Sequence, residues 1–365
     1  MDSESLSQRT APIVSQTPSY ISLLEKAFAD LWDPSNPEGW ILAMVAENKL
    51  MAARVRERLH EAQCEPLPPW VMCYTDIKGH PPVRETVARF LASRVLGSPA
   101  AADEVCLSAG VASLLDNVFY LLGDAGEGVL IPAPYYPAFD VDLSLRSKLV
   151  PLPIFLNEAE EIGAQLDRWV EEATSREQPD AGSSQWSLSS DVPPPLPRVT
   201  RVCALLATSP NNPTGATYSP DTLAAMVRWA VERKVHLVSD EVYALSAHEE
   251  NGHAFASVRA VAAERCADLD AEAVDAYLHV LWGLSKDLCG SGLRVGVLHS
   301  RNRALLRALP SLAVFGMAGN QVQHTTGLVL GDDAWLDAFF RESADALAGA
   351  RRRLGEGLRA LGVPF

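Results

Sequence analysis

The sequence predicts a three-layer α/β/α fold: a large domain on a mostly parallel, mixed sheet with helices on both faces. Three observations carry this. Short apolar runs alternate with segments of helical spacing over roughly residues 104–300. The stretches before and after it add segments of helical spacing. Polar residues stand at the ends of the apolar runs, where ligands sit in open α/β sheets.

In chain order, residues 1–20 read as a mobile arm. LLEKAFADLW (23–32) has helical spacing and DPSNPEGW (33–40) is a turn. ILAMVAENKL (41–50) leads into a helix rich in Ala, Arg and Leu. PPVRETVARFLASRVL (81–96) is helical, opened by a proline pair where proline is tolerated. EVCLSAG (104–110) and GVLIPAP (128–134) read as strands, with ASLLDNVFYLLG (112–123) a helix between them. LVPLPIF (149–155) follows as a strand. VCALLATSP (202–210) is a strand, and SPDTLAAMVRWAVERK (219–234) a helix with Ser219 as its N-cap. VHLVSDEVY (235–243) is a short strand ending in acid. AYLHVLWG (276–283) and RVGVLHS (294–300) are the last strands. Residues 171–199 are rich in Ser, Pro, Gly and acid, and predict a surface insertion without an active role. A long helical pattern precedes RRRLGEGLRALGVPF (351–365), and VPF reads as the cut-short start of another strand.

The 365 residues suit a large domain with a smaller lobe. Hydrophobic residues make up 48% and charged residues 21%, the balance of an ordinary globular protein. A net charge of −15 argues against nucleic-acid binding and supplies no polybasic membrane patch. Six cysteines are scattered without a CxxC pair, so no zinc pattern appears. The polar start predicts neither a signal peptide nor a transit sequence, and no apolar run has membrane-spanning length. A reducing, cytoplasmic setting is the expectation.

Six local features can carry chemistry, and each has an ordinary reading beside it. Lys286 is either a surface lysine or, between apolar flanks at a strand end, a nucleophilic amine that captures an aldehyde. Asp240 either caps a helix or holds a heteroaromatic N–H, with the Tyr243 phenol three residues on. SPNNPTG (209–215) is either a turn or a loop aiming the Asn212 amide at a ligand. SAGVASLL (108–115) passes from strand through a glycine turn into a helix N-terminus, which can present free N–H groups to a phosphate. Arg294, eight residues past Lys286 and beyond a Gly-Ser-Gly loop, can fork a phosphate. Of Tyr135 and Tyr136, one can stack on a ring while the other packs in the core. HEENGH (248–253) lacks ordered ligand spacing and reads as a polar loop, so no metal site is expected.

Taken together and in this order, these stretches resemble the fold-type I pyridoxal-phosphate enzymes of aminotransferase class I/II, and most closely the 1-aminocyclopropane-1-carboxylate synthase-like branch. The matching segments are AENKL (46–50), YTDIKGH (74–80), GDAGEGVLIPAPYYPAFDVDL (123–143), NNPTG (211–215), SDEVY (239–243) and LSKDLCGSGLRVG (284–296). The resemblance implies that Lys286 carries pyridoxal 5'-phosphate as an aldimine and that Asp240 pairs with the pyridine nitrogen. It implies that Tyr243 and Asn212 bond the ring oxygen, and that Ser285, Arg294 and the turn at Ala112 and Ser113 bind the phosphate. Tyr136 would stack on the ring, and Glu47 lies in a segment that approaches substrate in relatives. The freed Lys286 amine would then remove the α-proton of an amino acid. Implied with these are a homodimer, a cofactor-binding large domain over 51–330, a small-lobe start within 1–50, and a helix over 331–365 leading toward a C-terminal lobe.

Three departures from the family pattern qualify those expectations. Relatives commonly carry an aromatic residue, often a tyrosine reaching the other subunit's phosphate, where this chain has Ile77. They commonly carry serine three residues before the lysine, where this chain has Gly283. Each missing hydrogen bond to a charged group is worth about 1.5–3 kcal/mol, so weaker cofactor binding is expected. Relatives also continue into a lobe bearing the arginine that grips the substrate carboxylate, so poor amino-acid binding is expected of a chain ending at Phe365. The expected activity is aminotransferase-like. The alternatives are a β/γ-eliminating lyase, including carbon–sulfur cleavage, and a cofactor-binding protein without turnover.

Overall fold

The computed structural model describes Ser7 and residues 19–175, 196–247 and 253–363. Most of the expected arm, the middle of the expected insertion and most of HEENGH lie outside the described residues. The chain divides into two compact units, Met1–Glu47 and Asn48–Phe365. In the first, helix α1 (Ser19–Ala29) ends three residues earlier than its apolar spacing suggests. Asn36 Nδ2 donates to Asp30 Oδ1 at 2.8 Å and to the Leu31 carbonyl at 3.0 Å, which closes the following turn.

The second unit runs α2 (Ala52–Cys64), α3 (Pro81–Leu91), β1 (Val105–Ser108), α4 (Val111–Leu122), β2 (Gly128–Pro132), α5 (Phe139–Ser144), β3 (Val150–Ile154) and α6 (Ile162–Ser175). It continues with β4 (Val202–Thr208), α7 (Pro220–Arg233), β5 (His236–Asp240), α8 (Val258–Arg265), α9 (Ala271–Tyr277), β6 (Leu278–Gly283), the single turn α10 (Leu284–Asp287) and β7 (Gly296–Ser300). Then come α11 (Arg303–Ala308), α12 (Pro310–Ala313), α13 (Asn320–Leu330) and α14 (Asp333–Ala360).

The seven strands form one sheet in the order β1-β7-β6-β5-β4-β2-β3. Strand β7 runs antiparallel to both neighbours, and the remaining pairs are parallel. Successive residues of each strand feed opposite faces. Leu205 and Ala207 join one core and Leu206 the other, as do Val280 and Trp282 against Leu281. Helices α3, α6, α7, α8, α13 and α14 bury residues in the first core, and α4, α5 and α11 in the second. The three-layer α/β/α architecture with a mostly parallel, mixed sheet is therefore what the chain adopts. No helix among the described residues is long and apolar enough to cross a membrane.

Local signals explain the helix ends. Ser219 accepts from the Thr222 backbone N–H at 3.0 Å, and Pro220 opens α7 where its missing N–H costs nothing. The expected insertion is narrower than its composition suggests. Helix α6 continues to Ser175, and Leu196 and Val199 are buried in the first core. Val199 N–H also donates to the Ala173 carbonyl at 3.0 Å. Ile162, Leu166 and Ala173 hold α6 against that core, and this burial overrides the polar composition of its last turn.

Candidate active site

The carboxyl ends of β4, β5 and β6 and the start of α4 surround a cavity of about 200 Å³. Its lining includes Ala112, Tyr136, Asn212, Asp240, Tyr243, Ser285, Lys286 and Arg294. Eight of the predicted site residues thus meet in one place. Ser113 and Glu47 are not among the lining residues.

One end of the cavity is acidic. Asp240 closes β5, and its Oδ1 accepts from the Val242 N–H at 3.3 Å. Burial pushes its pKa up to about 7, while that backbone bond and the charge of Lys286 pull the other way. Thr208, in register with Asp240 on β4, lines the same wall. Its buried hydroxyl has no hydrogen-bond partner among the described residues. Asp142 of α5 adds a second carboxylate, also raised to about 7 by burial and then by the charges of Asp116 and Asp240. A cationic N–H placed here would be welcomed by two acids and a free hydroxyl.

The side wall carries amide and phenol together. Asn212 Nδ2 lies 3.4 Å from the Tyr243 Oη, in position to donate. The neighbouring Asn211 is spent on the loop itself: its Nδ2 donates to the Pro134 carbonyl at 3.1 Å, and its Oδ1 accepts from Thr214. Burial, helped by the nearby charge of Asp240, raises the Tyr243 pKa, so the phenol keeps its proton. Lys286 Nζ stands 5.8 Å from the Tyr243 ring centre.

Lys286 is held by its neighbour. Asp287 is 1% exposed, and its Oδ2 accepts from Trp282 Nε1 at 2.9 Å and from the Leu245 N–H at 3.1 Å. Its Oδ1 accepts from Ser246 Oγ at 2.7 Å. One buried carboxylate therefore ties the Lys286 turn to strand β6 and to the turn that follows Tyr243. Burial raises its pKa to about 7 against the pull of those three bonds.

The opposite end suits an anion. Gly110 precedes α4 with φ +90°, a conformation that disfavours any residue with a Cβ, and a Cβ there would overlap the Arg294 guanidinium. No side chain caps the helix, so its first N–H groups face outward beside Val111 and Ala112. Arg294 Nη1 donates to the Ser291 carbonyl at 2.9 Å, and Ser285 and Ser291 complete this end. The resemblance implied the turn at Ala112 and Ser113 here; Ala112 lines the cavity, and the Ser113 side chain lies against Ser108. Its Oγ is 3.0 Å from the Ser108 hydroxyl, which donates to the Gly316 carbonyl at 2.7 Å, and Val111 lines the cavity instead.

The two tyrosines divide as the core-or-ring reading allowed. Tyr136 lines the cavity, edge-on to Phe139 with ring centres 5.5 Å apart. Tyr135 packs on the second core and donates to Asp140 Oδ1 at 2.7 Å. Ile77 also packs on that core. At Gly283 a Cβ would stand 2.8 Å from the Val295 carbonyl oxygen, so a serine at this position does not fit the backbone as it lies. Glu47 is the last residue of the first compact unit, and the cavity is lined wholly by residues of the second.

Sequence reasoning passed over Thr208, Asp142 and Asp287. Thr208 carried a signal in its place at a strand end, and Asp287 in its place next to the lysine. Nothing in the sequence marked Asp142. With them, the site offers acids at one end, a phenol and an amide at the side, an amine in the middle and an anion cup at the other end. A planar heteroaromatic phosphate with one ring N–H and one ring oxygen matches that set, and the buried Thr208 hydroxyl and the crowding of Gly110 by Arg294 mark its two ends.

Comparison with known proteins agrees. The sequence profile of aminotransferase class I and II matches residues 47–365. 1-Aminocyclopropane-1-carboxylate synthase 3 of Oryza sativa subsp. japonica is 30% identical over 92% of this chain and 72% of its own length. The 1-aminocyclopropane-1-carboxylate synthase-like protein 1 of Mus musculus is 31% identical over 91% of this chain, which spans 62% of that protein. Among solved structures, the aspartate aminotransferase of Rhizobium meliloti superposes with a TM-score of 0.71 at 17% identity, covering 97% of this chain and 77% of that one. The Thermus thermophilus aspartate aminotransferase with maleate gives 0.68 at 22%, covering 98% and 81%. Those two likenesses bear on fold alone. The profile match and the identity to the rice protein establish that this chain belongs to the aminotransferase class I and II family of pyridoxal-phosphate-dependent enzymes.

Proposed function

We propose that the chain acts on an α-amino acid or a close derivative, with aminotransferase-like chemistry centred on Lys286. The observation that carries this is the shared cavity: Lys286, Asp240 and Arg294 line it together with the start of α4. In this reading Lys286 binds pyridoxal phosphate covalently, and its freed amine removes the substrate α-proton. The cofactor, when bound, supplies a sink for the electron pair that the departing proton leaves behind. Asp240 holds the ring N–H, since a buried carboxylate without a cation gains most from one. Asn212 and Tyr243 donate to the ring oxygen. Ser285, Arg294 and the α4 N-terminus bind the phosphate, and Tyr136 covers a ring face. Glu47 is retained as a candidate substrate contact, on the strength of the resemblance alone.

The relatives' names favour a second reading, elimination at the β or γ carbon, because the first two matches carry a synthase or synthase-like name. Both readings begin with loss of the α-proton and part afterwards. One experiment serves them. The cofactor-loaded chain is held in deuterated water with a panel of amino acids, and Cα–H exchange is followed by proton NMR, with 2-oxo acid and ammonia assayed beside it. Exchange with 2-oxo acid formed in step with loss of the cofactor's lysine-bound absorbance supports transamination. Exchange with sustained ammonia release supports elimination. Absence of exchange with every amino acid overturns the proposal.

We also read the assembly as a homodimer in the cytoplasm, on family resemblance and on the lack of CxxC pairs. Size-exclusion chromatography with light scattering tests the dimer.

A further inference from the structure

The amino ends of β5 and β6 carry a pair of imidazoles that the candidate active site does not use. His236 opens β5, and His279 is the second residue of β6. His236 Nδ1 stands 3.0 Å from His279 Nε2, and His279 Nδ1 stands 2.9 Å from the Oγ of Ser300, its register partner on β7. Ser300 Oγ also accepts from the Asn302 N–H at 3.1 Å. Asn302 Oδ1 in turn caps α11 by accepting from the Leu305 N–H at 2.9 Å. One chain of hydrogen bonds thus crosses three strands and ends at a helix cap.

The direction of its protons follows from the donor inventory. Ser300 and His279 are fully buried. Of the two groups bonded to the Ser300 hydroxyl, the Asn302 N–H only donates, so the hydroxyl hydrogen goes to His279 Nδ1. His279 then carries its own hydrogen on Nε2 and donates it to a bare His236 Nδ1. A proton arriving at His236, the half-buried member, turns that nitrogen into a donor. Two N–H groups then oppose each other, unless His279 moves its hydrogen to Nδ1. That move strips the Ser300 hydroxyl of its acceptor.

The surroundings oppose the extra charge. Arg201, ahead of β4, acts on His236, while Arg259 of α8 and His299 of β7 act on His279. The nearby carboxylates are taken. Glu127 accepts from Arg201 at 2.8 Å and Asp275 from Arg259 at 3.0 Å, and Glu104 lies 3.2 Å from both His299 and Arg301. The other titratable neighbours are the Tyr277 phenol of α9, with its ring centre 5.1 Å from that of His236, and the buried Cys203 thiol of β4. Burial, then Arg201, lowers the His236 pKa to about 4. Burial, then His236 and Arg259, holds His279 well below the ordinary imidazole range.

We propose that this chain is an acid-sensitive catch: uncharged, it fastens β5, β6, β7 and the cap of α11, and one added proton releases it. The unfolded His236 takes its proton near 6.5 and the folded one only near 4. Between those values the unfolded state binds more protons. The stability the catch contributes is therefore whole above about 6.5 and is lost as pH falls toward 4. Buried carboxylates such as Asp240 act in the opposite sense over the same range, so the test is a difference between parent and variant.

His236→Asn supplies the variant. Its amide oxygen can take the place of Nδ1 as acceptor for His279, and it binds no proton. Between about pH 7 and about pH 5, the melting temperature of the full-length parent should fall by roughly 4 °C more than that of the variant. Equal slopes overturn the catch. Ring-nitrogen NMR of histidine-labelled parent decides the matter even if the variant does not fold. A nitrogen–nitrogen coupling across the shared hydrogen should identify the pair, with both rings in the Nε2–H form. Both should stay neutral at about pH 5.5, where exposed imidazoles are mostly charged. Absence of the coupling, an Nδ1–H ring in the pair, or titration of the pair at the ordinary imidazole value overturns the proposal.

Discussion

Thr208 and Asp240 stand in register at the carboxyl ends of adjacent parallel strands, and both line the candidate active site. The carboxylate is buried without an ion-pair partner among the described residues, and the hydroxyl without any hydrogen bond. Burying such groups costs stability unless a partner satisfies them. The pair therefore looks built for a ligand rather than for the fold, and each member makes a prediction.

Asp240→Asn should stabilise the cofactor-free protein, increasingly so at higher pH. Burial lifts the Asp240 pKa from 3.8 to about 7. The folded state therefore binds more protons than the unfolded state between those values, and this group erodes stability as pH rises through the window. Above about 7 its penalty is complete; below about 4 it is absent. The variant carries none of it. Melting temperatures from about pH 5 to about pH 8 should show the gap between variant and parent widening. With pyridoxal phosphate bound the advantage should shrink or reverse, because the ring N–H loses its anionic partner. A gap independent of pH would mean that Asp240 is not the titrating acid.

Thr208→Val keeps the shape and removes the hydroxyl. With no partner to lose, the cofactor-free variant should melt at or above the parent temperature. Its pyridoxal-phosphate affinity should fall several-fold, read by titration of the visible absorbance. Unchanged affinity would show that the hydroxyl faces away from the bound cofactor.

These groups also show where the sequence is legible. The strands were readable because sheet residues buried on both faces appear as short apolar runs, as in VCALLAT and HLVSD. Lys286, Asp240, Asn212 and Arg294 were readable because each follows such a run at a distance a short loop can span. The sheet order was not readable, since nothing in Gly296–Ser300 says that β7 inserts antiparallel between β1 and β6. Helix α5 was missed because six residues are too few for a periodic signal. Asp142 went with it. Ser113 entered with Ala112 as part of the turn, on the resemblance; its side chain meets the Ser108 hydroxyl, a tertiary contact that the sequence does not announce. Asp287 acts through tertiary partners at Trp282, Leu245 and Ser246, and only the fold brings Leu245 and Ser246 to it.

Asp287→Asn tests that tie. The amide offers one acceptor oxygen where the carboxylate offers two, so at least one of the three donors loses its partner, at a cost of about 1–3 kcal/mol. A lower melting temperature is expected. If the bonds also set the Lys286 turn, the pH midpoint of the lysine-bound cofactor absorbance should shift. Lost stability with an unmoved midpoint would confine Asp287 to holding the fold.

Lys286→Ala gives the plainest test of the cofactor assignment. The parent chain with added pyridoxal phosphate should show a visible-violet band that borohydride erases, fixing the cofactor to the protein. The variant should show neither the band nor the covalent label in intact mass spectrometry. Labelling of the variant at the same stoichiometry would place the reactive amine elsewhere.

Gly110→Ala probes the anion end through the backbone alone. The methyl group would occupy the space of the Arg294 guanidinium, and φ +90° is unfavourable for alanine. Either the helix start or the arginine must move, and both belong to the same end of the cavity. Cofactor affinity should fall at least tenfold. Inorganic phosphate, expected to bind at the same end, should protect the variant less than the parent from heat. Arg294→Lys supplies the comparison. It keeps the charge and frees the space, but a lysine cannot reproduce the planar fork, so its loss should appear in affinity with the melting temperature little changed. If Gly110→Ala binds pyridoxal phosphate as well as the parent does, the glycine serves only the turn, and the anion cup must be drawn from Ser285 and Arg294 without the start of α4.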